Sequence, residues 1–288
     1  MSLLNVIILA IVQGLAELLP VSSSAHVVVA EKLLGLDPSS PPMTLLLVML
    51  HTGTMFAVIA YFWRQWRSTY FQNAVAFKTF AARVIIATAL TAVVGEIIIK
   101  IIEKTALRAV PHSEIEDLFS HLEFIAPALA AGGLLILGAG IFEKRRSTEN
   151  KLQTGDLTMQ QAGLIGMVQG LCLPFRGFSR SGATISTGML LGIAKSRAET
   201  FSFALAVVIT PPVVVREVMR LVRAPHVSDS ALASAALLSL LGAALAFFAG
   251  LLALKWLSQW LESGRWYLFG IYCLIAAAAV TLLHRLGY

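Results

Sequence analysis

Most of this chain consists of long apolar stretches separated by short polar connections. Six of these stretches have about the 20 residues that a helix needs to cross the hydrocarbon core of a bilayer. They cover residues 43–62, 81–102, 124–142, 201–220, 231–254 and 266–286. We therefore predict an all-α polytopic membrane protein.

Two further regions, residues 3–36 and 159–193, have a different pattern. In each region two apolar pieces, too short to cross a bilayer comfortably, flank a polar turn that contains Pro20 or Pro174. This pattern predicts a re-entrant hairpin of two short helices. Irregular backbone at membrane depth survives only where it is buried in protein or lines a wet cavity, so both turns are candidate sites.

The order of elements repeats along the chain. The tripeptide Gln-Gly-Leu occurs at 13–15 in the first hairpin and at 169–171 in the second. Each hairpin is followed by three predicted crossings, which gives two repeats, 1–142 and 159–288, within one membrane domain, 1–288. Because each repeat has an odd number of crossings, the second must start from the opposite face, and the repeat is inverted. Discontinuous helices in such folds meet near the midplane, so we expect the two turns to form one site.

The composition excludes several classes of protein. The chain is 57% hydrophobic and only 13% charged, whereas about a quarter of the residues of a soluble domain are charged. Its two cysteines, Cys172 and Cys273, lie in apolar runs and do not suggest a disulfide framework. The net charge of +6 is spread along the chain, which argues against a nucleic-acid partner and is typical of membrane loops.

The distribution of basic residues predicts an orientation. Residues 63–83 and 143–158 are rich in Lys and Arg, whereas residues 103–123 are rich in acids. The positive-inside rule then places the first hairpin and both termini outside. Arg216, Arg220 and Arg223 fall on the outer side against the rule.

The first turn carries ionisable and nucleophilic side chains. Glu17 lies in an otherwise apolar helix, one helical turn after Gln13, and such a carboxylate is functional by default, although it could instead snorkel to the interface. Ser22, Ser23 and Ser24 follow, and taken alone they fit an N-cap. On a helical turn, the spacing of Ser23 and His26 lets hydroxyl and imidazole approach each other. An imidazole in such a turn suits proton transfer or attack on phosphorus.

The second turn has the features of an anion site. Ser179 and Ser181 stand at the start of the next half-helix, whose N-terminus favours phosphate. Arg180 offers a bidentate donor fork, and Thr184 lies one turn further on. A structural ion pair between Arg180 and Glu17 is the alternative, and both can hold if the pair is the resting state of the site.

Weaker candidates lie elsewhere in the chain. His51, Thr52 and Glu96 could line the cavity or simply face a neighbouring helix. Small residues at 242, 246 and 250 have the spacing of close helix packing, either within the fold or between two copies of the chain.

Taken together, the two turns closely resemble the two signature motifs of the BacA-type undecaprenyl-diphosphate phosphatases, bacterial integral membrane enzymes associated with bacitracin resistance. The likeness rests on Gln13-Gly14-Leu15-Ala16-Glu17, on Pro20-Val21-Ser22-Ser23-Ser24-Ala25-His26 and on Gly177-Phe178-Ser179-Arg180-Ser181-Gly182-Ala183-Thr184. The resemblance implies hydrolysis of undecaprenyl diphosphate to the monophosphate, which recycles the lipid carrier for peptidoglycan synthesis. It also implies inverted repeats, a Mg²⁺ or Ca²⁺ ion, an inner-membrane location with the site open to the periplasm, and a homodimer.

By matching position, the resemblance implies catalytic roles for Glu17, Ser23, His26 and Arg180, with Glu17 also as the metal ligand. We assign substrate binding to Gln13, Ser22, Ser24, Arg176, Ser179, Ser181 and Thr184. The chain departs from the family at two of these positions. The family often has glutamate at the position of Gln13 and usually proline at that of Arg176, which bears on metal binding and on the substrate.

The residues leave the mechanism and one alternative function open. Ser23 or His26 could attack phosphorus directly, or Glu17 and His26 could activate water. Because inverted repeats with broken helices are common among transporters, a transporter of polyprenyl phosphate or another anion is the alternative. A third possibility is a relative that binds lipid without hydrolysing it, if the departures at Gln13 and Arg176 abolish metal dependence.

Overall fold

A computed structural model describes residues 2–38, 40–105, 121–148, 157–223 and 229–287. These residues form ten α-helices and no β-strand. In chain order the helices are α1 (Leu3–Leu18), α2 (Ser23–Leu33), α3 (Pro41–Thr69), α4 (Ala74–Thr105), α5 (Leu122–Thr148), α6 (Met159–Cys172), α7 (Arg180–Leu190), α8 (Lys195–Arg223), α9 (Asp229–Glu262) and α10 (Tyr267–Arg285).

Six helices, α3, α4, α5, α8, α9 and α10, are long and apolar enough to cross a membrane. The prediction of an all-α polytopic membrane protein is thereby confirmed. The other four helices have 16, 11, 14 and 11 residues. They form two consecutive short pairs, α1 with α2 and α6 with α7, in the regions where hairpins were predicted.

Each hairpin packs against a helix from the other half of the chain. Helix α1 lies against α9, and α6 lies against α4. The contacts need small residues, because a Cβ on Gly14 would lie 2.8 Å from the carbonyl oxygen of Ala246, and one on Gly170 would lie 2.8 Å from that of Thr91. Close backbone approach of this kind favours helix association in a bilayer. The small residues of α9 therefore serve packing within the chain.

Helices α5 and α10 pair along their length and support both hairpins. The backbones come close where Gly133 of α5 faces Gly270 of α10. On one side of this pair, Ala25 and Val28 of α2 pack into a buried cluster with residues of α5 and α10. On the other, α7 packs against α5. The pair thus fixes the position of both turns relative to each other.

Some of the predicted features lie outside the described residues or away from the turns. The acid-rich connection 106–120, the connection 149–156 and the side chains of Arg220 and Arg223, all used to predict orientation, are not among the described parts. Glu96 is exposed on α4 and pairs with Lys100 one turn later, so it does not reach the turns.

Candidate active site

The first turn is a break in the helix that the local sequence enforces. Helix α1 ends at Leu18, and Leu19 has extended backbone, because the residue before a proline is disfavoured in the helical region. Ser22 then adopts a φ of 70°, and it is the one non-glycine residue with positive φ in the described parts of the chain. Its side chain caps α2 by accepting a hydrogen bond from the Ala25 N–H at 3.5 Å. Helix α2 therefore begins directly at the turn.

The second turn also combines a positive φ with a serine N-cap. Gly177 has a φ of 107°, and a Cβ there would lie 2.5 Å from the carbonyl oxygen of Ile125, so only glycine fits. Ser179 caps α7 by accepting from the Gly182 N–H at 3.2 Å. Ser181 donates to the carbonyl of Leu19 at 3.3 Å, which ties the start of α7 directly to the first turn. Two helix N-termini therefore meet at one place.

Glu17 is the centre of the hydrogen-bond network at this junction. Its Oε1 accepts from Nη2 of Arg180 at 3.0 Å. Its Oε2 accepts from the hydroxyl of Ser23 at 2.5 Å and from the amide of Gln13 at 3.1 Å. The side chains of Glu17 and Arg180 are 17% and 23% exposed, so the ion pair is partly screened from water. The ion pair that the sequence left as an alternative is thus present between the two turns.

An open cavity of about 200 Å³ lies over this ion pair. It is lined by Ala16, Glu17, Ser22, Ser23, Ser24, Cys172, Leu173, Phe175, Arg176, Phe178, Ser179, Arg180 and Ser181. Arg180 carries a second nitrogen, Nη1, that is buried and has no hydrogen-bond partner among the described residues. A buried donor without an acceptor is costly, so this nitrogen is suited to an anion. Two helix N-termini at the same place favour negative charge as well.

His26 is not hydrogen-bonded to Ser23 in this arrangement. Its Nδ1 lies 2.7 Å from the carbonyl oxygen of Ser22, and its Nε2 lies 2.7 Å from the hydroxyl of Tyr272 on α10. His26 is also not among the residues that line the cavity. The predicted approach of hydroxyl and imidazole is replaced by contact between the Ser23 hydroxyl and Glu17.

A different histidine lies beside the carboxylate. Nδ1 of His51 is 2.9 Å from Nε2 of Gln13 and 3.7 Å from Oε2 of Glu17. Since the carboxylate can only accept, the Gln13 amide must present its nitrogen to Glu17, and the same nitrogen then donates to His51. His51 is thus linked to Glu17 through Gln13, a connection that its place within a crossing had only weakly suggested.

The remaining candidates fall into two groups. Ser24 and Arg176 line the cavity, with the Ser24 hydroxyl 3.2 Å from that of Ser22. Gln13 and Thr184 are fully buried, and neither lines the cavity. The Thr184 hydroxyl donates to the Arg180 carbonyl at 2.8 Å and lies 2.6 Å from the Ser202 hydroxyl. Thr184 therefore supports the helix that carries Arg180.

The described residues include no group of three or more His, Cys, Asp or Glu side chains that could hold a metal ion. Of the residues that the structure describes, Glu17 is the one carboxylate that lines the cavity. Tyr272 escaped the sequence analysis because it is one aromatic residue in an apolar crossing, 246 positions from His26, and no motif marks it.

Comparison with known proteins agrees with these features. The sequence model of the family "Bacitracin resistance protein BacA" matches residues 6–279. Undecaprenyl-diphosphatase 2 of Acinetobacter baylyi is 56% identical, with 98% of both chains covered. Undecaprenyl-diphosphatases of Rhodopirellula baltica and Desulfatibacillum aliphaticivorans are 32% and 34% identical, with at least 96% of each chain covered.

Proposed function

Because the chain belongs to the BacA family of bacitracin resistance proteins, we propose that the cavity between its two hairpin turns is the site of its phosphatase reaction. The chain is a membrane hydrolase that converts undecaprenyl diphosphate to undecaprenyl phosphate and inorganic phosphate. This reaction recycles the lipid carrier of peptidoglycan synthesis and confers resistance to bacitracin.

The observation that carries the proposal is the state of Arg180. One of its terminal nitrogens is paired with Glu17, and the other is buried beside two helix N-termini without a partner in the described parts of the chain. A diphosphate entering the cavity supplies the missing acceptor and competes with Glu17 for the guanidinium, whose fork matches phosphate oxygens. The ion pair is then the resting state of an anion site. Positioning and charge neutralisation of this kind are the main requirements of phosphoryl transfer.

The same exchange activates Ser23. In the resting site its hydroxyl donates to Oε2 of Glu17 at 2.5 Å, the arrangement of a nucleophile and its base. When Arg180 turns to the phosphate, Oε2 of Glu17 keeps its contact with the Ser23 hydroxyl and takes the hydroxyl proton. Ser23 Oγ then bonds to the terminal phosphorus, the bond to the bridging oxygen breaks, and undecaprenyl phosphate leaves with that electron pair. Water then attacks the phosphoserine, the bond from phosphorus to Oγ breaks, inorganic phosphate leaves, and Oγ takes back the proton held by Glu17.

The residues fit one divalent cation that is shared with the substrate. Mg²⁺ is commonly held by one or two carboxylates together with substrate phosphates, and Glu17 supplies one carboxylate at the cavity. A bound Mg²⁺ or Ca²⁺ supplies charge stabilisation at the phosphoryl oxygens. Both oxygens of Glu17 accept hydrogen bonds from protein donors in the resting site. Oε1 loses its donor when the diphosphate binds Arg180, so this oxygen would hold the cation while Oε2 stays hydrogen-bonded to Ser23.

We also propose that the two repeats are inverted and interlocked. Gly14 and Gly170, which occupy matching places in the repeated tripeptide, make equivalent close contacts with α9 and α4. Ser22 and Ser179 also have the same role, since each caps the second helix of its hairpin. The odd number of long helices after each hairpin supports the inversion.

The inner-membrane location, the periplasmic opening of the cavity and a homodimer are part of the proposal, as the family resemblance implies. The orientation can be tested by labelling intact cells with a membrane-impermeant maleimide. In this orientation His121→Cys should react from outside and Ser68→Cys should not. The two native cysteines are buried, so they should not add to the labelling. The reverse pattern would overturn the orientation.

The test of the function is phosphate release from undecaprenyl diphosphate by the purified chain. We expect release that depends on Ser23 and a phosphoserine intermediate that acid quenching traps at this residue. Labelled lipid phosphate that exchanges across proteoliposomes without hydrolysis would instead favour the transporter.

A further inference from the structure

Helix α10 supports the first turn with two neighbouring side chains. The hydroxyl of Tyr272 lies 2.7 Å from Nε2 of His26, and the two rings stack with an interplanar angle of 13° and centroids 5.7 Å apart. The next residue, Cys273, donates its thiol to the carbonyl oxygen of Pro20 at 3.4 Å. Nothing in the sequence motifs assigns a role to this face of α10.

The contacts of His26 determine which nitrogen carries its proton. Nδ1 lies 2.7 Å from the Ser22 carbonyl, which can only accept, so Nδ1 is the N–H. In the neutral ring Nε2 then has the lone pair, and the hydroxyl of Tyr272 must donate to it. The positive φ of Ser22 belongs to the turn that presents this carbonyl. The ring is thus held at both nitrogens.

We propose that Tyr272 is a positioning residue for His26. It fixes the tautomer and the plane of the imidazole, and it occupies the lone pair of Nε2 in the resting site. Because Nδ1 faces a backbone carbonyl, Nε2 is the nitrogen through which His26 can act, and Tyr272 controls its availability. Tyr272 is 46% exposed, so its hydroxyl has room to turn away from the ring. The inference rests on the proposed function only where it concerns turnover.

The experiment compares Tyr272→Phe with Tyr267→Phe in the full-length protein. Tyr267 is on the same helix, but its ring lies under Lys144, 5.8 Å from the ammonium, whereas the ring that stacks on His26 is that of Tyr272. Diethyl pyrocarbonate acylates an imidazole nitrogen that has a free lone pair, and mass spectrometry reports the rate at each histidine. We expect acylation of His26 to be about two- to tenfold faster in Tyr272→Phe, the range that one hydrogen bond is worth. Tyr267→Phe should match the wild type.

Turnover is the second measurement. We expect Tyr272→Phe to lower kcat by a similar factor, because the family resemblance gives His26 a catalytic role and the phenol orients its ring. KM should be unchanged, because Tyr272 does not hold the diphosphate. His51, which is linked to Gln13 away from α10, should be labelled at the same rate in all three proteins and reports that the fold is intact.

Two results separate this inference from the proposed function. If the wild type releases no phosphate and Tyr272→Phe still speeds labelling of His26, the contact is real and the proposed function is wrong. If the wild type is active and labelling of His26 is the same in Tyr272→Phe and Tyr267→Phe, the positioning role is refuted.

Discussion

Nη2 of Arg180 lies 3.0 Å from Oε1 of Glu17, although the two residues are 163 positions apart in the chain. This ion pair joins the two hairpin turns and forms the floor of one cavity. We propose that the diphosphate breaks this ion pair when it binds. The diphosphate binds Arg180, and the Glu17 carboxylate then accepts the proton of the Ser23 hydroxyl.

The first prediction concerns the shape of the Arg180 cation. Arg180→Lys keeps the charge but loses the planar fork, so the terminal phosphate is held by fewer hydrogen bonds. We expect KM for undecaprenyl diphosphate to rise by about tenfold, the effect of one charge-assisted hydrogen bond. Arg67→Lys, at the exposed end of α3, is the matched control and should leave KM unchanged. An unchanged KM in Arg180→Lys would argue against bidentate binding.

The second prediction concerns the hydroxyl next to Glu17. Ser23→Ala removes the nucleophile that we propose, and we expect kcat to fall by at least about a thousandfold, as in other enzymes that lose a nucleophile. Ser68→Ala, an exposed serine at the end of α3, should behave as the wild type. If Ser23→Ala retains most of its turnover, water or His26 must be the nucleophile.

The third prediction concerns the contacts between the two halves of the chain. An alanine at Gly14 or at Gly170 puts a methyl group within 3 Å of the backbone of α9 or α4. Overpacking of this kind costs about 1–3 kcal/mol, so both variants should melt at lower temperature in detergent. Gly138→Ala is the control, since a Cβ there meets nothing within 4 Å. Equal melting temperatures for Gly14→Ala and Gly138→Ala would contradict the interlocked packing.

The fourth prediction concerns the metal. With Glu17 as its carboxylate ligand at the cavity, the proposed ion would depend on the substrate phosphates for its other ligands. Gln13→Glu would place a second carboxylate beside Glu17, where the Gln13 amide now lies 3.1 Å from it. We expect Mg²⁺ to support activity at several-fold lower concentration in this variant, and a chelator to stop turnover in both proteins. Metal-independent turnover in the wild type would show that the reaction does not need a cation.

The sequence was sufficient for the helices but not for their full length. Apolar runs mark only the part of a helix that lies in hydrocarbon, whereas α3 continues to Thr69 and α4 already begins at Ala74. The polar residues at these ends form helix as readily as the apolar ones, so hydropathy cannot locate where the helix stops. The two turns were predictable because proline, glycine and serine dictate local backbone.

Which side chains meet within the site was less predictable. The spacing of Ser23 and His26 suggested contact, but the hydroxyl has a stronger acceptor in Glu17, and the imidazole is held by a residue from α10. Thr184 was expected at the site because of its helix position. Its hydroxyl is satisfied instead by its own helix and by Ser202, a common outcome for a buried threonine. Pairings of this kind depend on distant elements, which one sequence does not reveal.

In the proposed mechanism Glu17 and Arg180 act as one unit on the terminal phosphate. The most direct measurement is a double-mutant cycle of phosphate release from undecaprenyl diphosphate by the wild type, Glu17→Gln, Arg180→Gln and the double variant. The account predicts that each single variant loses at least about a hundredfold in kcat/KM and that the double variant is little worse than the poorer single one, because groups that act together are strongly non-additive. Near wild-type release in either single variant, or losses that simply multiply in the double variant, would contradict it.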